Sequence, residues 1–107
     1  DALVGMNAVV MDEAEVGEES IVAACAFVPA GTKLPPRSLI AGIPARVKRE
    51  LSEQEIAWKL EGTRTYQDLT RRCHASLRET KPLAEVELQR PRVRASSVKP
   101  LIAARRA

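Results

Sequence analysis

Every sixth residue from Val4 is aliphatic: Val4, Val10, Val16, Val22, Val28, Leu34 and Ile40. Two residues before each, from Val10 onward, stand Ala8, Ala14, Ser20, Ala26, Thr32 and Ser38, all small. A hexapeptide period marks a parallel β-helix. Residues two apart on a strand share a face, so each small residue points inward with its aliphatic neighbour. The aliphatic side chain fills the interior, and the small one sits beside a corner. Gly5 and Gly17 follow inward valines, where a turn needs backbone freedom. Pro29 and Pro35 hold the same register and fix φ for a bend. Three hexads close one triangular coil, and stacked coils rise by roughly 4.8 Å. β-branched residues at a strict period of six fit a buried helix poorly.

The outward residues between each inward pair define three faces. Positions eighteen apart stack, so Leu3, Ile21 and Leu39 share one face, and Val9 and Phe27 the second. Glu15 and Lys33 share the third. Two faces are apolar and one is charged. A solvated coil does not expose two apolar faces, so a helix should cover one and a partner chain the other.

The period spans about two coils, fewer than the three or so repeats that usually stand alone. The sequence also opens inside the pattern, at Asp1-Ala2-Leu3-Val4. The expectation is a C-terminal portion of a longer β-helix protein, with a first strand that presents a bare edge. The coils should end near Gly42, where Gly42-Ile43-Pro44 sends the chain out of the prism. Ser52-Glu53-Gln54-Glu55 is a capping box, which starts a helix. Ile56, Leu60, Thr63, Tyr66, Leu69 or Thr70, Cys73 and Leu77 fall near one stripe. Gly62 interrupts the pattern, and Trp58 lies off it, placed to touch a neighbouring chain. The helix should end before Pro82. Three regions result: coils over 1–50, a helix over 51–81, and an extended or disordered basic tail over 82–107, with Leu101–Ala107 a possible short helix.

Net charge is +3, and it is a property of the tail. Residues 1–50 carry five basic and seven acidic side chains, 51–80 five of each, and 81–107 seven and two. The tail has no aromatic residue to stack a base, so nucleic acid is not an expected partner. No apolar run approaches a membrane span, and no signal peptide is visible. Cys25 and Cys73 do not make a disulfide framework, which suits reduced thiols in the cytoplasm. Cys73 and His74 are adjacent on a helix and point about 100° apart, so they form no natural dyad.

Several stretches carry a resemblance. Asp1 through Asp12, Ser20-Ile21-Val22-Ala23-Ala24 and Gly42-Ile43-Pro44-Ala45-Arg46 resemble the coils of γ-class carbonic anhydrase-like hexapeptide-repeat proteins. Glu50 through Lys59, Gly62-Thr63 and Tyr66-Gln67 narrow this to the branch typified by PaaY and CaiE, of phenylacetate degradation and the carnitine operon. The similarity runs from residue 1 to about residue 90. It implies a left-handed β-helix, against the usual crossover rule, with a C-terminal helix along each prism of a homotrimer. It further implies zinc or a similar divalent metal, held by three histidines between subunits. The implied substrates are coenzyme A thioesters, or bicarbonate and CO2.

The ligand histidines of that family belong to a coil upstream of Asp1. The only histidine here is His74, and one imidazole cannot make an open three-ligand site. No metal ligand and no cofactor-binding residue is therefore expected in this chain, and metal chemistry passes to a longer parent. Tyr66, from the helix, and Asn7, following the lost coil, are the candidate catalytic residues. Their bland alternatives are a packed helix tyrosine and a corner residue. A coenzyme A acyltransferase and a non-catalytic trimeric scaffold are the competing readings of the whole.

Overall fold

The computed structural model describes residues 1–89. The basic tail from Arg90 on, with its possible helix at Leu101–Ala107, lies outside the described residues. The chain divides into two compact units, 1–60 and 61–107.

In the first unit the period is realised strand by strand. Two-residue strands β1 (Leu3–Val4), β2 (Val9–Val10), β3 (Glu15–Val16), β4 (Ile21–Val22), β5 (Phe27–Val28) and β6 (Lys33–Leu34) follow one another, and β7 spans Ser38–Gly42. Pairing is parallel at a separation of eighteen: Leu3 with Ile21, Ile21 with Leu39, Val9 with Phe27, and Glu15 with Lys33. These are the face partners that the spacing predicts. The result is a parallel β-helix of three narrow sheets. Its interior holds Val22, Ala26, Val28, Leu34 and Ile40, with Ala45 closing one end. Val22, Val28 and Ile40 are fully buried, while Val4 and Val10 line an end rung and stay exposed. The inward hydroxyls are paired along the stack. Ser20 donates to Pro35 O at 3.1 Å, the Ser38 amide donates to Ser20 Oγ at 3.1 Å, and Ser38 donates to Pro36 O at 2.9 Å.

The corners follow a second rule. Asn7, Glu13, Glu19, Cys25, Gly31 and Arg37, six apart, all have φ between 55° and 67°. That left-handed conformation costs a non-glycine residue roughly 1–2 kcal/mol. Gly5 and Gly17 serve differently from the expectation, because neither has a positive φ. What they supply is space. A Cβ on Gly5 would lie 2.5 Å from the Ala24 nitrogen, and one on Gly17 would overlap Pro36.

After Gly42 the chain does leave the coil, but it turns back at once. Strand β8, Ala45–Glu50, pairs antiparallel with β7 and ends the sheet order β1-β4-β7-β8. The sequence reading did not anticipate this strand. Its outer residues are charged, which blunts an exposed edge.

Helix α1 runs from Glu53 to Ser76, about 36 Å at 1.5 Å per residue. Its capping box is formed as predicted. The Glu55 amide donates to Ser52 Oγ at 3.3 Å, and the Ser52 amide to Glu55 Oε2 at 3.0 Å. In the first unit, the helix start and Leu51 cover the Leu3/Ile21/Leu39 face. Ile21, Leu51 and Ile56 are buried together, with Leu3, Leu39 and Trp58 packed against them. Trp58 thus serves its own chain's core, contrary to the expectation of a neighbouring chain. In the second unit the helix continues through Gly62, and residues 77–89 form no helix or strand. No helix among the described residues is long and apolar enough to cross a membrane.

Candidate functional site

In the first unit, Asn7 sits at a corner with φ 57° and is exposed. Asparagine tolerates this conformation better than most residues, so the corner role alone accounts for its type. One coil on, Cys25 holds the same corner, its amide donating to Met6 O at 3.0 Å.

In the second unit, Tyr66 is 73% exposed. It lines a groove of about 470 Å³ with Leu69, Thr70, Cys73, His74 and Leu77. These residues follow the helical spacing i, i+3, i+4, i+7, i+8 and i+11, so the groove is the predicted stripe left open. The structure therefore gathers Tyr66, Cys73 and His74 along one wall. The groove offers an apolar floor, one phenol, one thiol and one imidazole. Such a set can orient a substrate by hydrogen bonding, but it contains no activated nucleophile. A packed helix tyrosine is not what the structure shows within the described residues.

A metal centre needs three or four donors converging on one point. Among the described residues no group of three His, Cys, Asp or Glu side chains stands together. Within one copy, the described side chains gather no such set.

The strongest electrostatics lie elsewhere in the first unit. Arg49 grips Glu55 with two bonds of 2.7 and 2.8 Å, while Glu55 also serves the capping box. The hydrogen bond to Glu55, partly offset by desolvation, raises the guanidinium above its already high pKa, so it is charged at any ordinary pH. Arg37 bridges Glu19, at 3.0 Å, and Glu53. Lys59 is 1% exposed and meets the Asp1 carboxylate at 2.9 Å. The Glu19–Arg37 pair had a readable signal, since its members stand eighteen apart with opposite charge, as do Glu15 and Lys33. Lys59 had none, because a lysine is rarely placed in a core from sequence. Among the described residues no buried side-chain nitrogen or oxygen lacks a partner. These groups hold the helix start to the coil and present no open reactive atom.

Comparison with known proteins supplies what the geometry leaves open. No family model matches the chain. The carnitine operon protein CaiE of Salmonella agona is 55% identical over 101 residues, 94% of this chain and 51% of that protein. CaiE of Escherichia coli K12 is 54% identical over 97 residues, 91% of this chain and 50% of that protein. The chain spans about half the length of these curated relatives. Among solved structures, a hexapeptide transferase family protein from Anaplasma phagocytophilum is similar with a TM-score of 0.62 and 36% identity, covering 65% of this chain and 42% of that one. A putative acetyltransferase from Bacillus cereus is similar with a TM-score of 0.64 and 36% identity, covering 72% and 44%.

Proposed function

This chain is a homologue of the carnitine operon protein CaiE within the hexapeptide-repeat family, and from that premise we propose that it is the non-ligand portion of a metal-dependent hydrolase. The proposed enzyme is γ-carbonic anhydrase-like and acts in the cytoplasm as a homotrimer. Its coil takes the left-handed sense of that family. Its substrate is a coenzyme A thioester, in the manner of PaaY-type proteins of phenylacetate degradation, or bicarbonate and CO2. Bound zinc, or a similar divalent ion, would supply a hydroxide near neutral pH. The ligands would lie outside residues 1–107. The observation that carries this reading is the 55% identity to CaiE over nearly the whole chain.

In this reading the coil is a rigid support, and Tyr66 presents a hydroxyl that orients substrate or water. The test has two levels. The chain of residues 1–107, dialysed against a weak chelator, is expected to retain no stoichiometric zinc and to cleave no thioester. A parent of the relatives' length is expected to hold about one metal per chain and to release thiol from an acyl-coenzyme A. In that parent, Tyr66→Phe lowers kcat by roughly tenfold while the melting temperature holds. Zinc held stoichiometrically by residues 1–107 overturns the assignment.

A second reading, a coenzyme A acyltransferase, is favoured by the likeness to the Bacillus cereus putative acetyltransferase. It is separated by the same assay. Thiol release that requires an added acceptor marks transfer, and release in water alone marks hydrolysis.

A further inference from the structure

We infer that the start of α1 is an acid-released latch: protonation of the carboxylates that tie residues 53–59 to the coil frees the helix start and uncovers the Leu3/Ile21/Leu39 face. The device lies wholly within residues 1–60 and stands apart from any reaction of the parent. Ion pairs fix this short stretch to separate segments of the first unit. Arg37, at a corner of the coil, bridges Glu19, at 3.0 Å, and Glu53 of the helix. Arg49 of β8 holds both carboxylate oxygens of Glu55. Lys59 meets the Asp1 carboxylate at 2.9 Å and the Asp1 carbonyl at 3.5 Å. Each tie has a carboxylate at one end and a guanidinium or ammonium at the other.

Glu55 is the centre of the latch. It is buried, and every acceptor it offers is in use. Its Oε1 takes a guanidinium N–H of Arg49, and its Oε2 takes another together with the Ser52 amide at 3.0 Å. Whichever oxygen gains a proton, an N–H already points at it, so the neutral acid meets a donor where it had met an acceptor's partner. The charge-assisted part of both arginine bonds is lost in the same step. Arg49 is itself 41% exposed and turns to water, so release follows without stranding a guanidinium.

Acid acts on the latch and spares the coil. The coil interior of Val22, Ala26, Val28, Leu34 and Ile40 holds no titratable group. The Glu15–Lys33 pair on the outer face is exposed and contributes little. Around the helix start the charged groups are Glu18, Glu19 and Arg37 at the corners, Arg49 and Glu50 in β8, and Asp1 ahead of β1. Glu53, Glu55 and Lys59 face them from the helix. Arginine and lysine keep their charge throughout the acid range, and the bond to Glu55 raises Arg49 further. Only the carboxylates change, and all in one direction. The ties are therefore whole at neutral pH and are lost as pH falls through the carboxylate range, around pH 4. What remains is Arg37, Arg49 and Lys59 with less negative charge among them, and lifting the helix start into water relieves that excess.

The reporter is built in, because Trp58, the sole tryptophan, packs against the Ile21, Leu51 and Ile56 cluster that release would open. The experiment follows Trp58 emission of the full chain from pH 7 down to about pH 3, with amide hydrogen exchange measured in parallel. Emission is expected to shift to the red as pH falls and to return at pH 7. Amides paired across the coil, such as Val9 to Ala26 O and Ala23 to Ile40 O, are expected to stay protected while those of residues 55–59 lose protection. Glu55→Gln, which copies the neutral acid, is expected to show the red-shifted emission already at pH 7 with the coil amides still protected. Glu15→Gln is expected to follow wild type. Emission that holds down to about pH 3 overturns the latch, as does native emission of Glu55→Gln at pH 7. So does a loss of coil protection together with the emission shift, in wild type or in Glu55→Gln, since the helix start and the coil would then unfold as one.

Discussion

Residues 53–60 and 61–76 belong to one helix, yet the first stretch buries Glu55, Ile56 and Lys59 and the second buries no side chain. Both stretches carry apolar residues at helical spacing. The difference lies in what the sequence itself supplies. In the coil, each inward residue finds its neighbour eighteen positions away, so the repeat names the partner of every strand. The helix start inherits that order, since Ile21 and Leu39 of the stacked face are already in place. The later stripe of Tyr66, Leu69, Cys73 and Leu77 says that a helix wants a surface, and it names none.

The comparison breaks first, and with the largest effect, inside the coil. Val22 is fully buried in the narrow interior. Val22→Asp places an unpaired charge there and should cost more than about 4 kcal/mol, enough to remove the cooperative melting transition. Glu15→Gln, an outward change, should stay within about 0.5 kcal/mol of wild type. Thermal unfolding followed by circular dichroism measures both. Equal tolerance at the two positions would show that inward and outward residues have been exchanged.

A smaller effect separates two uses of glycine that the period conceals. Gly17 sits where a Cβ would overlap the Pro36 backbone, and Gly31 sits in open space with φ 67°. Gly17→Ala must push two rungs apart, at about 1–3 kcal/mol. Gly31→Ala meets only the left-handed penalty, about 1 kcal/mol. Chemical denaturation resolves the order. A larger loss at Gly31 would mean that rung spacing is soft.

The legible parts of the molecule were those written as local rules. The period placed β1 to β7, their stacking partners and the three faces. Ser52 and Glu55 announced the helix start, and their reciprocal bonds formed. The corners were only half legible. Glu13, Glu19, Cys25 and Arg37 are not the residues chemistry prefers at positive φ, so their shared conformation emerges from the closed coil and not from their propensities. Strand β8 was hidden because Ile43-Pro44 reads as an exit, and a return along β7 depends on hydrogen bonds left open by the last coil. Lys59 was hidden because its ion-pair partner, Asp1, stands fifty-eight residues away. Tyr66 and Asn7 were placed on the right elements, but the structure gives Asn7 a corner and Tyr66 an open groove.

The smallest expected effect concerns the open stripe. Leu69 is 46% exposed and lines the groove beside Tyr66. Leu69→Ser removes apolar surface from a helix face that no described side chain covers. At roughly 25 cal/mol per Å² only area removed from water counts, and little is removed here. Serine is also a slightly weaker helix former than leucine, by a few tenths of a kcal/mol. The change in unfolding free energy of the 1–107 chain should therefore stay within about 0.5 kcal/mol. The same substitution at Val28, which is fully buried, should cost several times more, about 2–4 kcal/mol. Paired urea titrations of the two variants measure the contrast directly. Comparable losses at Leu69 and Val28 would mean that the stripe is covered in solution, by a surface of this chain or of another copy. The helix would then stand on the same footing as the coil, and the two halves of α1 would share one fate.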